Sequence, residues 1–382
     1  MSLLGGHFDA IPDPRRQYSC RHTLSDIFAL TLCAVVSGAN DLVAVEAFGH
    51  AQSDWLKPRV PLENGVPSHD TLSRVFALLD RQHVERAFAT WAAEALERTG
   101  GGTAAPDEPE QGEQPPPVVA VDGKRLRRAH DAADAMITVV SAWATESGVA
   151  LGHVSTTDGE GEVSAIPRLL EVLDLSGCIV TVDAAGCQTG IAEQITEQGG
   201  DYVLTVKGNQ GGLREGCERW LFGATLTGEV DVFEISERGH GREEARRYWA
   251  AAVPEGDVRR VLWPGLTSVV MVESSRTVGD ETSTEQRYFI SSMPADAEAL
   301  ARAVRGHWGV ENGLHWVLDV AFREDESRAR VDHAAANLAV ARRVAATLLK
   351  AERTIEGGVQ TKRMRCAWDS DYLARVLQVD DA

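Results

Sequence analysis

The chain has 382 residues, of which 43% are hydrophobic and 25% are charged, so it is long enough for two or three globular domains. This composition excludes collagen-like, wholly disordered and disulfide-scaffold proteins. The formal net charge of −19 argues against a basic surface over the whole protein, as nucleic-acid binders usually have. The acid excess lies mostly in the middle of the chain, so either end could still present a positive face.

Nothing in the sequence predicts a membrane or secretory segment. The best apolar run, residues 27–36, is far shorter than the about 18 residues that a transmembrane helix needs. The N-terminus lacks the basic and apolar parts of a signal peptide. The six cysteines include no C-x-x-C pair, which favours reduced thiols and gives no zinc site. We expect a cytoplasmic, nucleoid-associated protein with no membrane partner.

The first hundred residues have helical spacing. Helices are predicted over residues 24–34, 43–57, 84–98 and a stretch capped near Ser68. Ser25 and Asp26 are candidate caps for the first helix. The polar residues Ser68, His69 and Arg74 near the start of the third helix fit a helix-turn-helix DNA reader, but they fit a small bundle without groove contacts equally well. Residues 99–117, rich in Gly, Pro and Glu, predict a flexible linker.

After the linker the pattern changes to strands. Strands are predicted at residues 118–121, 137–144, 149–156, 178–182 and 202–206, with helices at 167–173 and 190–197. Three strands followed by alternating helices and strands predict an α/β fold with a mixed sheet covered by helices. Further short strands, at 230–235, 245–251, 259–262, 268–273 and 287–291, predict an all-β insertion. Helical spacing returns from residue 295 through residue 349.

Two carboxylates follow buried strand-like runs. Asp122 comes after VVAV and Asp183 after CIVTV. Ligands of open sheets bind at the carboxyl ends of strands, and a buried acid needs a partner or a metal, although Asp is also a common turn residue. With Glu311 as a third acid, these oxygen ligands suit Mg²⁺ or Mn²⁺. Two such ions about 3.5–4 Å apart can bind the attacking and leaving oxygens of a phosphoryl displacement.

A stripe of polar side chains accompanies the third acid. His307, Glu311, His315 and Asp319 are spaced i, i+4, and are therefore predicted to share one helical face. The first three also suggest a zinc hydrolase as an alternative. Their spacing does not match the H-E-x-x-H pattern, in which the Glu is the general base.

Basic and amide residues lie near these acids in the sequence. They are Lys124 to Arg128, Lys207 to Gln210, and Arg238 to Arg242. Each group could contact phosphate, because Lys and Arg pair with it and Gly allows the backbone to approach closely. Solvated surface charge is the alternative for each group; phosphate contact is favoured for the first two, and the two interpretations fit Arg238 to Arg242 equally well.

Several of these motifs together resemble a known family. They are VDGK at 121–124, DAAGCQ at 183–188, LTVKGNQ at 204–210, HGR at 240–242 and HWGVEN at 307–312. From about residue 9 to residue 377 the chain resembles the H-repeat-associated (ISAs-type) DDE transposases of bacterial insertion sequences. The resemblance implies an RNase H-like catalytic core with an all-β insertion, in which Asp122, Asp183 and Glu311 hold two Mg²⁺ or Mn²⁺ ions.

The resemblance also bears on DNA contacts. Larger relatives carry Tyr, Arg and Lys around the catalytic Glu, at positions that are Val304, His307 and Leu318 here, so we expect His307 to take over part of that role. The full set of expected DNA-contacting residues is Lys124, Arg125, Lys207, Asn209, Gln210, Arg242, His307, Asn312 and His315.

The predicted organisation is an N-terminal helical, DNA-binding domain (1–98), the linker (99–117), a catalytic domain (118–350) with a β-rich insertion at about 211–294, and a C-terminal tail (351–382). The implied reaction is attack of water on a phosphodiester at the transposon end, after which the freed 3′-hydroxyl attacks target DNA. The expected partners are double-stranded DNA, both transposon ends and target, and a second copy of the chain in a homodimer on DNA. The alternatives are a non-catalytic or domesticated DNA-binding derivative, and an RNase H-like nuclease without strand transfer.

Overall fold

The computed structural model of the protein describes residues 6–16, 20–98, 115–130, 136–156, 160–239, 242–278 and 281–378. The chain divides into two compact units. The first comprises residues 1–110, 123–173 and 310–382, and the second comprises residues 111–122 and 174–309. Most of the predicted linker, residues 99–114, lies outside the described residues.

The described residues form helices and strands in both units. The α-helices are α1 Leu24–Val36, α2 Leu42–Ala51, α3 Ser53–Leu56, α4 His69–Leu78, α5 Arg81–Arg98, α6 Glu162–Leu170, α7 Thr189–Glu197, α8 Gly211–Thr227, α9 Arg259–Leu262, α10 Ala297–Val310, α11 Trp316–Val320, α12 Ala334–Ala351, α13 Val359–Trp368 and α14 Ser370–Val376. The strands are β1 Val118–His130, β2 Met136–Ala144, β3 Val149–Ser155, β4 Ile179–Val182, β5 Asp201–Thr205, β6 Asp231–Gly239, β7 Arg242–Ala252, β8 Ser268–Val278 and β9 Glu281–Ser291. A π-helix, Glu311–His315, joins α10 to α11.

The helices of the first unit begin where short polar side chains can cap them. The Thr23 hydroxyl accepts the N–H of Asp26 at the start of α1, so the prediction of Ser25 or Asp26 as the cap is wrong. Ser68 caps α4, as predicted. The predicted second helix is interrupted at Gln52, which separates α2 from α3.

In the first unit, α12 is the central helix. The helices α1, α4 and α5 pack against it, and almost all of its residues are buried. The C-terminal residues form the helices α13 and α14. Arg363 of α13 donates hydrogen bonds to the carbonyl of Val35, in the last turn of α1, and to that of Ala39, just after this helix. Ser68, His69 and Arg74 are exposed at the start of α4, so a helix-turn-helix role for this segment stays a prediction.

The strands predicted at residues 137–144 and 149–156 are confirmed as β2 and β3 of the first unit. The strands pair antiparallel from Val139 and Ser155 to Ala144 and Val149. Gly148 closes the turn with φ +69°, a left-handed conformation that glycine adopts without a steric penalty.

The second unit is built on a mixed sheet with the strand order β1-β4-β5-β9-β8-β7-β6. The first three strands are parallel, and the following pairs are antiparallel. The helix α10 covers one face, where Leu300 and Val304 join a core that includes Val118, Ile179 and Val203. The α/β class with a mixed sheet is thus confirmed.

Residues 211–294, predicted as a β-rich insertion, also contain helices. They include the long helix α8, and residues 259–262, predicted as a strand, form the helical turn α9. The Asp257 carboxylate accepts the N–H of Arg259 and the indole N–H of Trp220, and so holds this turn against α8. The strands do not form a sheet of their own, because β9 pairs directly with β5.

Strand β1 is longer than predicted. It was expected to end before Asp122, but it continues to His130. Its pairing with β4 ends at Val121 and Val182, so Asp122 marks the end of that ladder and lies inside the strand. In the described part of the chain, the structure shows no helix with the length and apolarity needed to cross a membrane.

Candidate active site

Asp122 and Asp183 are brought together by the register of two neighbouring strands. Val121 of β1 is paired with Val182 of β4, and the two aspartates are the next residues on these parallel strands. A carboxylate oxygen of one lies within 4.8 Å of a carboxylate oxygen of the other, and both side chains are partly buried. The structure therefore places side by side the two acids that the sequence singled out.

The turn after β4 fixes the Asp183 carboxylate. Its Oδ1 accepts the backbone N–H groups of Ala185, at 2.8 Å, and Gly186, at 3.3 Å. These bonds orient the carboxylate through Oδ1 and do not involve its second oxygen, Oδ2. Two oxygens that share one Mg²⁺ are separated by about 3–4 Å, since each Mg–O distance is about 2.0–2.1 Å. The upper limit of 4.8 Å on the separation of the Asp122 and Asp183 oxygens is close to this requirement, so the aspartate pair fits a divalent cation.

His307 belongs to the same unit and lies mostly buried beside β4. Its Nδ1 is 3.0 Å from the Thr181 hydroxyl, two residues before Asp183. Burial lowers the pKa of His307, while the charge of Asp183 raises it, and the net shift is downward. The neutral imidazole is therefore the favoured form at neutral pH.

Glu311 and His315 lie in the first unit, on the π-helix. Nδ1 of His315 is 3.6 Å from a Glu311 carboxylate oxygen. Glu311 is exposed and His315 is buried. A π-helix contains one residue more per turn than an α-helix and is often found at functional sites. Nothing in the sequence pattern indicated this extra residue.

Lys124 is not a free surface cation. It is buried on β1 and its ammonium bonds to Asp319 of α11 and to Asp325. By contrast, Arg125 and Asn312 are exposed. The side chain of Arg242 lies outside the described residues.

The segment after β5 has mixed roles. Lys207 and Asn209 are exposed. Gln210 accepts the N–H of Lys207 and donates to the carbonyl of Cys187, so it ties this loop to the loop that follows Asp183. We expect Gln210 to position the loop, whereas DNA contacts by Lys207 and Asn209 stay predictions.

Glu162, an acid that sequence reasoning missed, lies against Gly123 in the first unit. It begins α6, and a Cβ placed on Gly123 would lie 2.5 Å from its carboxyl carbon. The residue after Asp122 must therefore be glycine for the Glu162 carboxylate to lie where it does. Because Glu162 is distant in sequence from the VDGK motif, the sequence gave no sign of this contact.

Comparison with known proteins decides the family. The profile described as Transposase DDE domain matches residues 113–349, and the profile described as DDE_Tnp_1-associated matches residues 6–92. The chain belongs to the DDE transposase family. It is therefore an insertion-sequence transposase, an enzyme that acts on DNA and depends on divalent metal, which favours this function over the zinc hydrolase.

Relatives of this transposase match along nearly all its length. "H repeat-associated putative transposase YhhI" of Escherichia coli K12 is 38% identical over 97% of this chain and 96% of its own. "Putative transposase YncI" of Escherichia coli O157:H7 is also 38% identical, over 97% and 93%. The piggyBac transposase in a synaptic complex with hairpin DNA is 12% identical with a TM-score of 0.42, over 99% of this chain and 78% of that one. The two matching profiles and the two Escherichia coli relatives confirm the predicted family.

Proposed function

We propose that this transposase cleaves the phosphodiester at each end of its insertion sequence and transfers the freed 3′-hydroxyl into target DNA. The observation that carries the proposal is the Asp122 and Asp183 pair, whose carboxylate oxygens lie within 4.8 Å at the end of the β1–β4 ladder. We infer an RNase H-like core around this ladder, with Glu311 as the third catalytic acid.

The acids would hold Mg²⁺ or Mn²⁺, two ions in all. When bound, the ions supply charge stabilisation for the attacking and leaving oxygens of an in-line displacement. The protein's share is to hold the carboxylates in a fixed orientation, as the backbone N–H groups of Ala185 and Gly186 do for Asp183. Both steps use the same kind of displacement, so positioning and charge account for most of the catalysis, and no covalent enzyme intermediate is needed.

The DNA partners would be the two transposon ends and the target duplex. Because two ends must be processed together, we propose a homodimer that assembles on DNA. Exposed residues near the acids in sequence, Arg125, Lys207 and Asn209, are available for phosphate contacts.

The test is cleavage of DNA carrying the ends that flank this gene, in Mg²⁺, followed by strand transfer with pre-cut ends. Asp183→Asn keeps the size of the side chain but removes its charge, and we expect it to abolish cutting. Asp174→Asn is the matched control, because Asp174 is exposed and precedes the same strand. Equal cutting by wild type and Asp183→Asn would disprove the site. DNA binding without cutting by wild type would favour the non-catalytic derivative.

A further inference from the structure

The ammonium of Lys350 has no anionic partner within the described part of the chain. Lys350 lies near the end of α12, mostly buried, with its Nζ 4.3 Å from the ring centroid of Trp143 on β2. Across the described residues it forms neither an ion pair nor a hydrogen bond. A desolvated cation is costly unless an anion compensates it, and an aromatic face compensates only part of that cost.

The titration of the group agrees with this geometry. Burial lowers the pKa of Lys350 to about 8, and no neighbouring charge contributes to the shift. At neutral pH the ammonium form still predominates. An anion placed beside it would restore the usual pKa, and its binding would therefore be favourable.

Two glycines lie close to the ammonium. A Cβ placed on Gly313 of the π-helix would lie 3.5 Å from Lys350 Nζ and 3.0 Å from Cζ2 of Trp143. A Cβ on Gly148, in the β2–β3 turn, would lie 3.8 Å from the same Nζ. Because neither residue has a side chain, no side chain from these two positions covers the ammonium, and this is the side from which we expect the oxygens of an anion to approach.

We propose that Lys350, held over the ring of Trp143, binds a backbone phosphate of DNA. The proposal rests on the proposed function, because a transposase meets phosphates as its substrate. It assigns a contact in the first unit, on the side of the π-helix at Gly313, two residues after Glu311. Asn312, exposed beside Gly313, offers an amide donor to the same strand of DNA.

The test is the salt dependence of binding to a short random-sequence duplex without divalent metal. Each phosphate contact contributes roughly 0.9 to the slope of log affinity against log salt for duplex DNA. We expect Lys350→Met to lower the slope by about that amount and Lys350→Arg to keep it. Lys57→Met is the control, since Lys57 is 73% exposed and paired with Asp54. A slope for Lys350→Met equal to that of wild type would overturn the proposal.

A second measurement does not depend on the variants folding. Lysines of the wild-type chain are reductively methylated with and without the duplex, and the modified sites are identified by mass spectrometry. We expect DNA to protect Lys350 and to leave Lys57 unchanged. Equal methylation of Lys350 in both conditions would overturn the phosphate site while cleavage at the aspartate pair stands. Failure of wild type to bind any duplex would overturn both proposals.

Discussion

The ammonium of Lys124 lies 2.7 Å from Oδ1 of Asp319, and only 8% of the lysine side chain is exposed. A second carboxylate, that of Asp325, is 2.9 Å from the same ammonium. Burial alone would lower the pKa of Lys124, but the hydrogen bonds to these two acids raise it. This bond joins strand β1 to α11, the helix that follows the π-helix of Glu311. Lys124 therefore ties strand β1 to α11 within the first unit.

Replacing Lys124 tests that role. Lys124→Met keeps the length of the stem but removes the buried cation from the carboxylates of Asp319 and Asp325, and Asp325 then keeps only the exposed Arg127. We expect a loss of roughly 2 kcal/mol in the free energy of unfolding. Urea unfolding measures it. Arg127→Met is the control, because Arg127 pairs with the same Asp325 but is 78% exposed. This variant should lower the free energy of unfolding by less than about 1 kcal/mol. Similar losses in both variants would contradict a special role for Lys124.

The role of Glu311 can be separated from folding. Its side chain is 58% exposed, so Glu311→Gln should unfold in urea like wild type. As a third acid of the proposed site, its loss should slow cleavage of end DNA by at least about 100-fold. Glu326→Gln, also exposed, should cut normally. Normal cutting by Glu311→Gln would remove this residue from the proposed triad.

Glu85 should make stability depend on pH. Its carboxyl group is buried on α5 and accepts the N–H of Ser155 at 2.9 Å. Burial raises its pKa to about 7, against the opposing charge of Arg81. A raised carboxyl pKa favours the protonated group in the folded state. The contribution of Glu85 to the free energy of unfolding is therefore fully present below about pH 4.5, the pKa of the group in the unfolded chain. It is lost as the pH rises through about 7, the pKa in the folded protein.

Glu85→Gln should therefore be more stable than wild type at pH 8, and the difference should shrink at pH 5. Between these pH values, one such group changes the free energy of unfolding of the wild type by up to about 1.4 kcal/mol per pH unit. Thermal or urea unfolding at both pH values measures it. Glu97→Gln, exposed on the same helix, should show no such trend. A difference that is the same at both pH values would refute the assignment.

The Arg343 and Glu324 pair is expected to be the most sensitive ion pair of the first unit. Both side chains are fully buried, and Nη1 donates to Oε1 at 3.0 Å. Arg343→Met leaves a buried carboxylate and should cost about 3–5 kcal/mol, whereas adding Glu324→Met should recover most of it. Arg365→Met, which breaks an exposed pair, should cost under about 1 kcal/mol. Urea unfolding measures these losses. A double variant that is as unstable as Arg343→Met would contradict this account.

The sequence predicted the elements whose signal is local. The buried strand after residue 178 and the cap at Ser68 follow from short apolar runs and cap chemistry. The helix α8 was missed because it begins with two glycines, which are poor helix formers. The turn α9 was mistaken for a strand because Val261 and Leu262 continue a short apolar run, while Asp257, which fixes the turn, lies outside it.

Site prediction followed the same division. Asp122 and Asp183 were found because each ends a recognisable pattern, and strand register then places them together. The partners of Lys124 are distant along the chain. Asp325, for example, lies 201 positions from Lys124. No local pattern carries such a contact. The basic run after Asp122 therefore looked like a surface for phosphate, although its first residue is buried in ion pairs.

The last strand in the order of the mixed sheet, β6, bears on how copies of the protein meet. It pairs with β7 on one side only, and such an edge can add a strand from another molecule. Charged side chains line it: Glu234 pairs with Arg247 at 2.7 Å, and Glu237 pairs with Arg305 at 2.6 Å. A further strand would have to approach across these charges, so they oppose growth of the sheet into aggregates. Two copies assembled on DNA would accordingly associate through other surfaces, and concentrated protein should remain dispersed.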